Sequence, residues 1–129
     1  MKKPDKSLAK LAETLCIGHY TRPVLICIGD KCCTPEVGQA AWNALKKELK
    51  DRNLSLSTGE NACYRTKADC LRVCDRGPIV VVYPDGHWYH DMTADKIPEF
   101  VERHLVAGEP VEEWTFARNP LPLERPDDE

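Results

Sequence analysis

Apolar residues recur along this chain with two different periods, and each change of period marks an element. In residues 7–16, Leu8, Leu11, Ala12 and Leu15 fall at helical spacing, with Ser7 placed to cap the start and Gly18 to stop the helix. Val24-Leu25-Ile26 is a short β-rich run after Pro23 and reads as a buried strand ending at Cys27. Thr34-Pro35-Glu36 has the form of a helix start, with a Thr cap, proline at the first helical position and an acid in the first turn. The spacing then predicts a helix to Arg52, with Val37, Ala41, Ala44, Leu45 and Leu49 inward and Trp42 flanking them as a packing residue.

Further along, Leu54-Ser55-Leu56-Ser57 alternates as a half-buried strand does. Thr58 to Gly77 keeps neither period and predicts a long polar loop, a length that compact domains reserve for function. Ile79-Val80-Val81-Val82-Tyr83 is unbroken and apolar, which predicts a central strand covered on both faces. Pro84-Asp85-Gly86 predicts a tight turn, and Trp88-Tyr89-His90 the returning strand. Asp95 to Val106 reads as a helix with Ile97, Phe100, Val101 and Leu105 inward, provided Pro98 falls in its first turn. Beyond Gly108 proline and acid take over, and an extended or disordered tail is expected. This order describes a small α/β domain, a mixed sheet of about four strands with flanking helices, as in a thioredoxin-like core.

Composition narrows the function. A chain of 129 residues is one domain by length. No apolar run approaches the roughly 20 residues that span a bilayer. Met1-Lys2-Lys3-Pro4-Asp5-Lys6 is basic but leads into no apolar signal core, so a cytoplasmic location is expected. The net charge of −3 argues against a nucleic-acid partner and suits docking with a basic patch on another protein. Seven cysteines cannot all pair within the chain. In a reducing compartment, clustered cysteines are metal ligands or redox groups.

Four of them form two tight pairs: Cys27 and Cys32, with four residues between, and Cys70 and Cys74, with three. Neither pair has the two-residue spacing of zinc knuckles and thioredoxin-type dithiols. Cys27 ends the first strand, Cys32 precedes the next helix, and Cys70 and Cys74 lie in the loop feeding the central strand. Both loops are expected at one edge of the sheet, where four thiolates converge. A [2Fe–2S] cluster needs four such ligands, and its oxidised form carries about −2 by formal charge. Backbone N–H groups of the Gly29 and Gly77 loops, and the helix start after Thr34, are expected to stabilise that charge. Two rivals stay open on the residues alone: a structural zinc site on four thiolates, and a thiol–disulfide oxidoreductase. His19, His87, His90 and His104 are not interleaved with the cysteine pairs, which removes a Rieske centre and leaves surface or packing roles. Tyr83, Trp88 and Tyr89 are read as sheet packing, and Cys16 as a small buried hydrophobe. With no acid–base pair, phosphate loop or nucleophile–base motif, a conventional enzyme is not expected.

The combination Val-Leu-Ile-Cys27, Cys32, Cys70-x-x-x-Cys74, Gly77-Pro78-Ile79-Val80-Val81-Val82-Tyr83-Pro84-Asp85-Gly86 and His104-Leu105-Val106-Ala107-Gly108-Glu109-Pro110-Val111 resembles the thioredoxin-like [2Fe–2S] ferredoxins. That family is related to the Shethna-type iron–sulfur protein and the small [2Fe–2S] subunit of NADH dehydrogenase. The likeness runs over residues 22–114. It implies a one-electron carrier that serves redox partner proteins, usually as a homodimer, with Cys27, Cys32, Cys70 and Cys74 as ligands. Cys33 directly follows Cys32 and is the alternate second ligand, although the four-residue spacing favours Cys32. Cys63 is expected to be a loop thiol outside the ligand set. The chain then divides into an N-terminal helical extension (1–21), a thioredoxin-like [2Fe–2S] domain (22–108) and a Pro-rich, acidic C-terminal tail (109–129).

Overall fold

In a computed structural model, which describes residues 6–15, 17–18, 20–54, 63–73 and 75–121, the predicted first strand is β1 (Val24–Cys27). It pairs in parallel with β2 (Arg65–Ala68) and antiparallel with β3 (Ile79–Val82). β3 pairs antiparallel with β4 (His87–Tyr89), and β4 with β5 (Thr115–Arg118). The result is a mixed five-stranded sheet in the order β2-β1-β3-β4-β5. The unbroken apolar run is thus its middle strand, and all four β3 residues are buried.

Helix α1 (Lys6–Thr14) begins one residue ahead of the expected cap, and its Leu8 and Leu11 are exposed, as is Leu15 just beyond it. Cys16 lies outside the described residues. Helix α2 (Pro35–Asp51) starts as the sequence requires: Thr34 Oγ1 accepts the Val37 N–H at 3.3 Å, and Pro35 opens the first turn. It buries Gly38, Ala41, Leu45 and Leu49. Val37, expected inward, is 37% exposed, because Gly38 takes the close contact: a Cβ there would lie 2.8 Å from Ile28 Cβ. The last helical run joins a 3₁₀ turn (Ala94–Lys96), α3 (Ile97–Phe100) and a π-helical stretch (Val101–Val106), with Pro98 in the first α turn. Ile97, Phe100, Val101 and Leu105 pack with Ala41, Leu45 and Leu49 onto Val24, Ile26, Val80, Val82 and Tyr89, on one face of the sheet. Truncating Phe100 in such a core costs about 3–5 kcal/mol.

Three expectations need correction. Leu54 is in no strand, and the rest of the expected strand falls at residues 55–57, outside those described. The strand parallel to β1 is instead Arg65–Ala68, inside the segment read as loop. Its Arg65 and Lys67 show no apolar alternation because their cationic ends lie over the Trp42 ring, at 5.3 and 5.7 Å from its centre. β5 lies inside the stretch read as tail, so the sheet has five strands rather than about four.

The β3–β4 turn is fastened from within. Val111 N–H donates to Tyr89 Oη at 3.0 Å, and Tyr89 O–H donates to His104 Nδ1 at 2.6 Å. His104 Nε2–H donates to Asp85 Oδ2 at 2.7 Å, and Arg22 Nε donates to the same oxygen at 2.9 Å. His104, wholly buried, is therefore a packing residue with both ring nitrogens engaged and its neutral tautomer set by the carboxylate. The Gly77–Pro78 and Tyr83–Pro84 peptide bonds are both cis.

Candidate metal centre

Cys27 ends β1 directly opposite Ile79, the first residue of β3, so the loops after β1 and before β3 leave the sheet at one end. They also touch. A Cβ on Gly29 would fall 1.8 Å from the Asp69 carbonyl oxygen, a contact that only glycine permits. Cys32 N–H and Cys33 N–H both donate to the Gly29 carbonyl, at 3.0 and 3.2 Å, and close a tight turn. That turn carries Cys32 Sγ back to the Cys27 carbonyl, to which it donates at 3.5 Å. Cys27 Sγ in turn donates to the Asp69 carbonyl, beside Cys70, at 3.9 Å.

Cys27, Cys32 and Cys70 consequently line one cavity of about 260 Å³, together with Asp30, Lys31 and Asp69. Cys74, the fourth expected ligand, lies outside the described residues. Cys33 does not line the cavity; its Sγ is turned to α2, where a Cβ on Gly38 would meet it at 3.1 Å. Cys63 lies in the loop before β2 and does not line the cavity, and its side chain is buried in the helix-side core beside Thr21 Oγ1 (4.0 Å).

The expected amide donors are only partly those found. Gly77 N–H is taken by the Cys32 carbonyl at 3.0 Å, so it does not face sulfur. Among the described residues, an amide that does reach a sulfur is Arg72 N–H, which donates to Cys70 Sγ at 3.2 Å from a residue at φ 73°. Nothing in the sequence singled out Arg72, whose part depends on a left-handed backbone. Gly77 had a visible signal in its Gly-Pro pair, and its part is steric: a Cβ there would sit 2.1 Å from Cys32 Sγ.

Burial pushes the Cys32 thiol up to about 12, reinforced by its contact with Cys27 and partly offset by the Ile79 backbone. Burial, then the nearby Cys27, also raises Cys33, partly offset by a hydrogen bond with the Cys32 side chain. Cys32 therefore holds its proton at neutral pH, and a thiol in this state must release that proton before it can ligate a metal. Among the described residues no three His, Cys, Asp or Glu side chains close tightly enough to hold a single ion. The three thiols instead border a cavity, a donor set that suits a sulfur-bridged iron cluster. Gly77 packs directly behind Cys32, where any side chain would collide with its sulfur and carbonyl.

The chain matches no established protein-family profile. It is 31% identical over 107 residues to a protein named ferredoxin, 2Fe-2S, from Aquifex aeolicus (strain VF5), covering 77% of this chain and 92% of that one. It is 45% identical over 65 residues to a protein of the same name from Clostridium pasteurianum, covering 50% of this chain and 59% of that one. Among solved structures, a thioredoxin-like [2Fe-2S] ferredoxin from Aquifex aeolicus superposes with a TM-score of 0.68 at 28% identity, covering 80% of this chain and 96% of the other.

Proposed function

This chain belongs to the thioredoxin-like [2Fe–2S] ferredoxins and is an electron carrier with a [2Fe–2S] cluster, and on that premise we propose that Cys27, Cys32, Cys70 and Cys74 are its ligands. The observation that carries the assignment is the cavity shared by Cys27, Cys32 and Cys70, which Cys33 does not line.

When bound, the cluster supplies a centre that accepts and returns one electron. The chain's own residues set the conditions. The Gly29–Asp69 contact and the Gly77–Cys32 hydrogen bond fix the two loops against each other, which limits movement between oxidation states. The Arg72 N–H draws charge from Cys70 Sγ and so favours the reduced form. Cys70 is exposed while Cys27 and Cys32 are buried, so electrons pass to redox partner proteins at the Cys70 side, by outer-sphere transfer without enzymatic chemistry.

The cytoplasm suits cysteines that serve as metal ligands. No helix among the described residues is long and apolar enough to cross a membrane. A homodimer is part of the same reading, and the exposed Leu8 and Leu11 offer apolar surface for it; a single-chain mass in sedimentation would remove it.

The ligand assignment is tested by assaying iron and acid-labile sulfide in anaerobically reconstituted Cys→Ser variants. Cys33→Ser should keep about two of each per chain, while Cys27→Ser, Cys32→Ser, Cys70→Ser and Cys74→Ser should lose or spectrally alter the cluster. An altered spectrum in Cys33→Ser with an unaltered one in Cys32→Ser would reverse the assignment at that pair.

A further inference from the structure

At the exit of the loop that carries the second cysteine pair, two side chains meet on one oxygen. Arg76 Nε and Nη2 each lie 2.8 Å from Asp91 Oδ2, and His90 Nδ1 donates to the same atom at 2.6 Å. The backbones are joined as well, because Asp91 N–H donates to the Arg76 carbonyl at 2.6 Å. Arg76 and Asp91 both sit at φ 51°, the left-handed region that residues with a side chain enter only when their surroundings hold them there. Lys96 Nζ, at 3.0 Å from the Asp91 carbonyl, anchors that residue to the last helical run.

The next residues are pinned from both sides. Gly77 N–H donates to the Cys32 carbonyl, and Met92 N–H donates to the Pro78 carbonyl, each at 3.0 Å. Residues 76–78 are thus clamped between the first cysteine loop and the end of β4. The Arg76 side chain is 66% exposed, and an ion pair so open to solvent contributes little to global stability. Its consequence lies in what it holds: a segment that begins two residues after Cys74 and passes over Cys32.

We propose that Asp91, acting through Arg76, is a positioning residue for electron transfer, setting the register of the Cys70–Cys74 loop against Cys32. This rests on the ligand assignment above. Neither residue touches a thiol in the described structure; the effect is carried by the backbone they fix.

The test uses reconstituted holoprotein with Arg76→Gln, Asp91→Asn, the double variant and the charge-preserving Arg76→Lys. Each is read by reduction potential, by the EPR spectrum of the reduced state and by the rate of bleaching with an iron chelator. Positioning predicts that both single variants change the EPR spectrum alike and bleach about tenfold faster, the size typical of losing an outer-shell partner. The double variant should add nothing beyond Asp91→Asn, since that change already removes the Arg76 pair, together with the His90 contact on the same oxygen. Arg76→Lys should follow Arg76→Gln, because lysine cannot reproduce the forked donation. Opposite shifts of potential that cancel in the double variant would mean that charge alone acts, and would overturn the proposal. Unchanged spectra and bleaching would overturn it equally. Should Asp91→Asn fail to fold, Arg76→Lys against Arg76→Gln decides alone, since equal effects despite different charge require the geometry. Cys74→Ser, measured alongside, separates the two readings. If it loses the native spectrum while the Arg76 and Asp91 variants are unchanged, only the clamp fails; an unaltered Cys74→Ser removes the ligand assignment itself.

Discussion

Gly77 packs over Cys32 so closely that a side-chain carbon there would lie 2.1 Å from Cys32 Sγ, while its N–H donates to the Cys32 carbonyl at 3.0 Å. The sulfur and the backbone of a proposed ligand are therefore held by one residue that must lack a side chain. Gly77→Ala should lower iron and sulfide per chain and reduce stability by about 1–3 kcal/mol, since neither Cys32 Sγ nor its carbonyl can yield cheaply. Metal analysis and a denaturant midpoint check this, and full iron loading in the variant would show that the contact is not needed.

A second prediction concerns the opposite end of the sheet. β1 carries Cys27 at one end and Val24 at the other, and Val24 pairs with Val82, just before the turn that holds Asp85. His104→Phe keeps an aromatic ring there, somewhat larger, but leaves the Tyr89 hydroxyl and the Asp85 carboxylate without their shared partner. It should cost about 2–3 kcal/mol, seen as a lower denaturant midpoint at unchanged slope. The visible spectrum of the holoprotein should not change, because the network lies one strand length, about 10 Å, from the cysteine loops. A changed spectrum would mean that the two ends are coupled.

The same network gives the protein an acid limb. Burial holds His104 below the usual 6.5 despite the opposing Asp85 hydrogen bond, and burial likewise lowers His87. Below pH 6.5 and above those depressed values, the unfolded chain binds more protons than the folded one, so stability rises with pH across that window. The contribution is fully present above 6.5 and is lost as pH falls through the folded values. Asp85 adds a second loss further down: burial opposes its shift, but hydrogen bonds from His104 and Arg22 carry it below 3.8. Denaturant midpoints from pH 8 down to about 4 should fall with acid, and His104→Phe should flatten the part below about 6.5. A flat wild-type profile there would contradict the assignment.

Several elements were legible because a strong local pattern coincided with burial. β1, α2, β3 and the hairpin turn stand where Val24-Leu25-Ile26, Thr34-Pro35, the Ile79 run and Pro84-Asp85-Gly86 put them. β2 and β5 were hidden because both are edge strands. Arg65 and Lys67 lean on an aromatic ring instead of a core, and Phe116 and Ala117 are exposed, so neither strand shows the alternation that burial on one face produces. Asp85 read as a turn former, and only the fold turned it inward to His104.

The sequence by itself determined the chemistry: two cysteine pairs at spacings that suit iron and sulfide, and a Gly-Pro to Pro-Asp-Gly segment that carries the family likeness. Those are local properties, and spacing along a chain expresses them directly. The tertiary structure alone decided which neighbour faces the cavity. Cys32 and Cys33 are adjacent and identical in kind, and both amides bind the same Gly29 carbonyl. Their thiols stay within hydrogen-bond reach of each other but end in different surroundings, Cys32 lining the cavity with Cys27 and Cys70 and Cys33 lying against Gly38 on α2. That choice follows from where β1, α2 and the second loop stand in space, which no run of consecutive residues records.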